Sequence, residues 1–239
     1  MTVFEILEFG AVGQGDSDPR YCQIGGILKS NTLKHPFLVA NEYIAFRLGA
    51  LVGLPTIPGV IVRGAASELG FVSLRFGPRN ERPPPALVSD VISTNERIGA
   101  GVVVFDSWLA NRDRHTENLA FDVKDRTALL FDHDRALCNM QGAARLDQVR
   151  DDPFVAMHCI APHLTDGRLL ADWVERVEWL RVEHLAMVVG DAHREGALDA
   201  ELAEKVITFL RYRQTNLRAM LKAAFTGGAF RSMKQGPLL

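Results

Sequence analysis

The chain has 239 residues, 47% hydrophobic and 23% charged, a balance that suits a folded globular protein and excludes a fibrous or largely disordered one. That length supports one large domain or two small lobes. A formal net charge of -2 argues against a protein that coats nucleic acid or an anionic membrane, so any phosphate it binds must be met by a local site. Cys22, Cys138 and Cys159 are widely spaced with no CxxC pair. The N-terminal residues carry two glutamates and no basic region before an apolar run, and no charge-free apolar stretch is long enough to span a bilayer. A reducing, cytoplasmic setting is the expectation.

The first residues read as short strands around a glycine-rich turn, VFEILEFG, AVGQGDSDP and RYCQIGGILKS, with Gly25-Gly26 expected as a hairpin turn. From Phe37 to Gly53 the apolar residues Leu38, Val39, Tyr43, Ile44, Leu48, Leu51 and Val52 recur at helical spacing, and Gly53 with Pro55 supplies the stop. IPGVIVRG reads as another strand, and ELGFVSLRFG as the last strand of a small first lobe. GPRNERPPP, Gly77 to Pro85, then breaks regular structure.

Beyond the break, Ile98 to Ala110 reads as a mostly buried helix. LAFDV and ALLFD read as two strands joined by a polar turn. Leu169, Leu170, Trp173, Val174, Val177 and Leu180, then Leu202, Val206, Phe209 and Leu210, follow core-facing helical patterns. The fold class expected is α+β: a two-lobed, protein-kinase-like arrangement, with residues 1–73 a small antiparallel-sheet lobe with one helix and 74–239 a mainly helical lobe.

The segment from Phe105 to Leu137 packs polar residues between apolar runs. Asp113 and Asn118 stand at the end of the expected helix, and Asp132 follows at the end of a hairpin strand. Phosphoryl transfer needs this set: one carboxylate to orient and deprotonate the attacking hydroxyl, an amide oxygen and a second carboxylate to hold Mg²⁺ against the phosphates. Asp and Asn are also common turn and cap residues, and the D-x-x-x-x-N spacing alone is unspecific. The surroundings add specificity: Trp108 and Asn111 before Asp113, Arg114 and His115 after it, and the hairpin into Phe131-Asp132-His133. Asp106 reads as a structural partner on the preceding helix, Arg114 as bracing the loop through a nearby carboxylate, and His115 as bracing it by hydrogen bonding. Zinc is disfavoured beside His115 and His133, because no HExxH-type spacing is present. Trp108, Trp173 and Trp179 read most simply as core or subunit-contact residues.

N-R-D-R-H-T-E-N followed by L-F-D-H-D resembles the catalytic loop and metal-binding aspartate of the HipA-like kinases, a branch related to phosphoinositide-kinase-like folds. KHPFLVANEYIAFRLGALVGLPTIPGVIV resembles that family's first-lobe helix, and RFG and FDSWLAN fit as well. The resemblance covers roughly Gly10 to Leu137. It implies Asp113 as the catalytic aspartate, Asn118 and Asp132 as Mg²⁺ ligands, and Glu42 as the helix glutamate that pairs with a strand lysine. That lysine is expected to be Lys29, in the apolar strand GGILKS, because Lys34 lies in a polar stretch too near the helix. Gly10, Gly13 and Gly15 depart from the protein-kinase order of glycines; Gly13 and Gly15 are the expected nucleotide contacts, and Ser17 is a conceivable self-phosphorylation site.

ATP and Mg²⁺ follow as cofactors, with a protein serine or threonine as acceptor, an antitoxin-like protein as a possible partner, and no direct contact with nucleic acid or membrane. Lipid or small-molecule acceptors, and a nucleotide-binding pseudokinase that holds a partner, are the alternatives. An aminoglycoside-type kinase is disfavoured because Arg112, not histidine, precedes Asp113.

Overall fold

In the computed structural model, which describes residues 6–14, 17, 19–75, 85–122 and 127–226, the first part of the chain is organised around one helix. This helix, α1 (Leu38–Val52), has the sequence LVANEYIAFRLGALV and is buried on most of its circumference. It ends where expected. Gly53 takes a φ of 83°, in the left-handed region that penalises a side chain, and its amide turns back to the carbonyls of Ala50 and Gly49. At Gly49 a Cβ would come 2.3 Å from the Thr56 methyl, so the glycine lets the exit segment fold back and the Thr56 hydroxyl donate to the Phe46 carbonyl at 3.0 Å.

Against α1 lies a three-stranded antiparallel sheet, ordered β3 (Gly26–Ser30), β5 (Leu69–Leu74), β4 (Gly59–Arg63). Lys29 is paired directly with Phe71. Paired residues share a face, and Phe71 is buried, so the register turns Lys29 inward toward α1. A separate hairpin precedes this sheet: β1 (Ile6–Val12) with β2 (Arg20–Ile24), exposed along both strands.

The expected Gly25-Gly26 hairpin turn is corrected by this topology. β2 pairs with β1 and β3 with β5, so the two glycines carry the chain from one sheet to the next, and the Gly25 carbonyl accepts from the Arg75 amide at 2.9 Å. Gly15 and residues 76–84, most of the proline-rich break, lie outside the described residues.

The second part is mainly helical: α2 (Val88–Leu109), α3 (Ala143–Gln148), α4 (Gly167–Glu178), α5 (Val182–Arg194) and α6 (Ala200–Thr226), with one hairpin, β6 (Leu119–Asp122) and β7 (Thr127–Leu130). The helical run of α2 breaks at Asn95, whose side chain accepts from the Ile98 amide and so starts the second, buried half as an N-cap does. That half is the central post, with α4 and α6 packed on it. Trp108 donates to the Leu210 carbonyl at 3.0 Å and Trp173 to the Arg97 carbonyl at 2.7 Å. Trp179, by contrast, is 78% exposed and is not a core residue.

The two parts are joined close to the site. The Ile57 amide donates to the Leu130 carbonyl and the Leu130 amide to the Pro55 carbonyl, across a bridge between Thr56 and Leu130 that fixes the end of β7 beside the exit of α1. α5 packs on α1 from the other side.

Candidate active site

Helix α2 stops at Ala110, which has a φ of 53°, and the Asn111 amide turns back to the Asp106 carbonyl at 2.8 Å. The loop that follows carries Asp113 and is built around Arg114, a fully buried guanidinium. Arg114 bonds Asp106 through Nε at 2.7 Å and Nη2 at 3.0 Å, and donates to the carbonyls of Asn118 at 2.6 Å and Phe131 at 3.0 Å. One side chain thus ties α2, the Asp113 loop and the end of β7 together. Asn111 completes the seat of Asp113: its Nδ2 donates to Asp106 and its Oδ1 accepts from the Asp113 amide.

Asp106 is also bonded by His158 Nε2 at 3.1 Å, while His158 Nδ1 accepts from the amides of Ile160 and Ala161. Burial opposes ionisation of Asp106, yet Arg114 and His158 hold it well below the usual carboxylate range. Arg114 Nη2 lies 2.8 Å from His133 Nε2. A guanidinium only donates, so His133 Nε2 accepts and its proton resides on Nδ1, 4.0 Å from Glu42 Oε2. Burial and the neighbouring Arg114 push the His133 ring down to about 3, so it is neutral at physiological pH.

Lys29, Glu42 and Asp132 meet from three separate elements. The Lys29 ammonium bonds Glu42 Oε1 on α1 and lies 2.7 Å from Asp132 Oδ1, past the end of β7. Asp132 has a φ of 63°, so the chain turns sharply there, and its side chain stays 41% exposed while that of Glu42 is buried. Burial works against the Lys29 charge, but the two carboxylates outweigh it and hold the ammonium above its ordinary value. Lys29 likewise overcomes burial at Asp132, holding that carboxyl below its ordinary value. At Glu42 burial is the strongest influence and pushes the carboxyl up against the pull of Lys29. One ammonium between two carboxylates leaves the ionised trio with excess negative charge, facing the open side at Asp132.

Asp113 is 30% exposed in its side chain; Arg135 Nη1 is 3.4 Å from Oδ1 and His115 Nε2 is 3.7 Å from Oδ2. Asn118, which the resemblance implies as a Mg²⁺ ligand, is turned into the loop. It is 1% exposed, its Nδ2 donates to the Asp113 carbonyl at 2.7 Å, and its Oδ1 accepts from the His115 amide at 3.2 Å and lies 3.4 Å from Arg114 Nη1. Both lone pairs of that oxygen are engaged within the loop. Gly13 is also engaged: its amide donates to the Pro19 carbonyl across the base of the first hairpin.

For Mg²⁺ the donor chemistry at Asp132 fits: a hard carboxylate oxygen, half open, in a negatively charged setting. Among the described residues no group of three or more His, Cys, Asp or Glu is assembled to hold a metal unaided. Mg²⁺ takes few protein ligands and relies on phosphate oxygens and water, so one open carboxylate such as Asp132 is compatible with it.

Sequence reasoning missed three contributors. Arg135 lies just past the recognised motif, His158 anchors Asp106 from 52 residues away, and His35 approaches Asp134 at 3.0 Å. Only Arg135 carried a usable signal, as a cation directly after the acidic Asp132-His133-Asp134 segment.

A small antiparallel sheet with one buried helix, joined to a helical part that presents a polar loop at the junction, is a kinase-like architecture. No family model matches the sequence, and no curated protein matches it. Among solved structures, the chain is similar to the Helicobacter pylori proinflammatory kinase CtkA, with a TM-score of 0.59 at 11% identity, over 94% of this chain and 96% of that one. It also matches the Shewanella oneidensis MR-1 toxin-antitoxin complex of HipA, HipB and operator DNA, with a TM-score of 0.45 at 13% identity, over 92% of this chain and 64% of that one. The likeness to CtkA establishes the fold, and the resemblance read from the N-R-D-R-H-T-E-N segment is borne out at that level. Among the described residues no helix is long and apolar enough to cross a membrane.

Proposed function

We propose that this protein is an ATP- and Mg²⁺-dependent phosphotransferase that acts on a protein serine or threonine, with the nucleotide-binding lobe in residues 1–73 and the catalytic lobe in 74–239. The observation that carries this reading is the convergence of Lys29, Glu42 and Asp132 on one point from a strand, a helix and a loop. A fold needs no such trio for stability. A half-exposed carboxylate and a shared ammonium serve better as a receptor for a charged ligand brought with its own cation.

In this reading Lys29 neutralises the nonreacting phosphates while Glu42 fixes its ammonium. Asp132 is the principal ligand for Mg²⁺, which when bound supplies charge neutralisation between the phosphates. Asp113, held by Asn111 and Asn118 through its main chain, orients the acceptor hydroxyl and takes its proton. Arg114 excludes water from beneath the loop and keeps Asp113 and Asp132 in fixed relation.

A second reading, a nucleotide-holding protein without transfer, draws support from one observation: the Asn118 carbonyl oxygen is already occupied. Incubation of the purified chain with γ-labelled ATP and Mg²⁺, with and without cell extract, separates the two. Label on protein, absent with Asp113→Ala, supports transfer. Tight Mg²⁺-ATP binding with no label on any protein, lipid or small molecule supports the second reading.

A further inference from the structure

Among the described residues, three arginines lie in the segment from Phe105 to Leu137, and two are committed elsewhere. Arg114 is buried and its donors go to Asp106, Asn118, Phe131 and His133. Arg112 turns away, with its guanidinium 4.4 Å from the centre of the Phe154 ring and Nη2 3.9 Å from Asp152 Oδ2. Arg135 is the one of the three that reaches Asp113, and 51% of its side chain is exposed. A half-exposed ion pair contributes little to stability, so holding the fold together does not account for its position.

The base of Arg135 is rigid. His133, Ala136, Leu137 and Cys138 around it are buried, the Ala136 amide bonds the His133 carbonyl, and the Leu137 amide bonds the Leu109 carbonyl at the end of α2. A long cation therefore projects from a fixed turn, three residues past Asp132, onto Asp113.

The charge balance gives that cation a task. Asp132 and Glu42 share the one ammonium of Lys29, and Asp113 adds a third carboxylate next to Arg114, which bonds the Phe131 carbonyl beside Asp132. A phosphoryl group in transfer carries negative charge on three equatorial oxygens and needs a facing donor. His115 also approaches Asp113 but is cationic only when protonated, whereas a guanidinium is always charged.

We infer that Arg135 is a phosphoryl-contacting catalytic residue, an arginine supplied in cis that exchanges Asp113 for the transferring group once the nucleotide is bound. This rests on the phosphotransferase reading above. In the step itself the acceptor oxygen forms a bond to the γ-phosphorus as the bond to the β,γ-bridging oxygen breaks. The bridging electron pair leaves on ADP, and the hydroxyl proton passes to Asp113. Arg135 changes no bonds; it donates to the equatorial oxygens, and its departure frees Asp113 Oδ1 to accept that proton.

The test compares the full chain with Arg135→Ala and Arg135→Lys in three measurements: labelled transfer, Mg²⁺-ATP affinity by calorimetry, and affinity for Mg²⁺-ADP with aluminium fluoride, a mimic of the group in transfer. Arg135→Ala is expected to lower kcat about 100-fold or more. It should leave Mg²⁺-ATP affinity unchanged, weaken the fluoride complex by a similar factor to kcat, and recover in part with added guanidinium. Arg135→Lys should fall between. Parent-like transfer by Arg135→Ala, or equal weakening of ATP and the fluoride complex, overturns the inference while parent activity keeps the phosphotransferase reading. A parent protein that neither binds Mg²⁺-ATP nor transfers label overturns both.

Discussion

The ammonium of Lys29 stands 2.7 Å from the Asp132 carboxylate across 103 residues of chain, and the same nitrogen bonds Glu42. That one cation couples β3, α1 and the turn after β7. Replacing it with Lys29→Met leaves the buried Glu42 without its charge partner. The expected result is near-complete loss of transfer with a loss of stability smaller than the about 3–5 kcal/mol of a fully buried broken pair, since Lys29 and Asp132 are partly exposed. Urea denaturation beside a transfer assay measures both.

Asp106 and Arg114 form the fully buried counterpart, at 1% and 0% side-chain exposure. Asp106→Asn keeps the shape and removes the charge, leaving the guanidinium uncompensated among carbonyls and His133. A loss of about 3–5 kcal/mol is expected. The variant should also lose transfer under conditions where it remains folded, because the Asp113 loop hangs on this pair. An unchanged urea midpoint would show that Arg114 is held by its other partners alone.

His133 predicts an acid sensitivity with a defined sign. Its folded value is depressed from 6.5 to about 3, so below pH 6.5 the unfolded chain binds a proton that the folded chain does not. The contribution to stability is complete above 6.5 and is lost as pH falls toward 3, at up to about 1.4 kcal/mol per pH unit. Asp106, also depressed, adds to the loss only below the ordinary carboxylate range, while Glu42, raised, works in the opposite direction just above it. Comparing the parent with His133→Asn between pH 5 and 7 isolates the histidine: the parent should show the steeper decline.

Much of this arrangement is written locally in the chain. The α1 helix announces itself through apolar spacing and the Gly53 stop, and the β6-β7 hairpin through two apolar runs about a polar turn. Lys29 and Glu42, 13 residues apart, could be paired because the resemblance implies a strand lysine on the helix glutamate and Lys29 stands in an apolar strand. Pairing of β3 with β5 instead of β2 was not legible, since two glycines between strands serve a hairpin and a sheet-to-sheet crossing alike. The contact of His158 with Asp106 depends on how the segment after α3 folds back, and no local pattern encodes that. The inward turn of Asn118 was hidden for a related reason: spacing fixes where an amide stands, while its neighbours decide which donors reach it.

That inward turn leads to a further expectation. Asn118→Ala strips the acceptor from the His115 amide and the donor from the Asp113 carbonyl, so it should cost about 1–3 kcal/mol of stability. Mg²⁺-ATP affinity should fall less than in Asp132→Ala. A larger loss of Mg²⁺-ATP affinity than in Asp132→Ala, at unchanged stability, would instead assign Asn118 mainly to the metal.

The division of labour between Asp113 and Asp132 is tested most directly by calorimetric Mg²⁺-ATP titration of Asp113→Ala and Asp132→Ala, with transfer measured on the same preparations. Lys29 bonds Asp132, whereas the charged neighbours of Asp113 are Arg135 and His115. Asp113→Ala should therefore bind Mg²⁺-ATP like the parent while transfer collapses, and Asp132→Ala should lose both, a transition-state loss of at least about 3 kcal/mol. Full transfer by Asp113→Ala, or parent-like Mg²⁺-ATP binding by Asp132→Ala, would contradict the account.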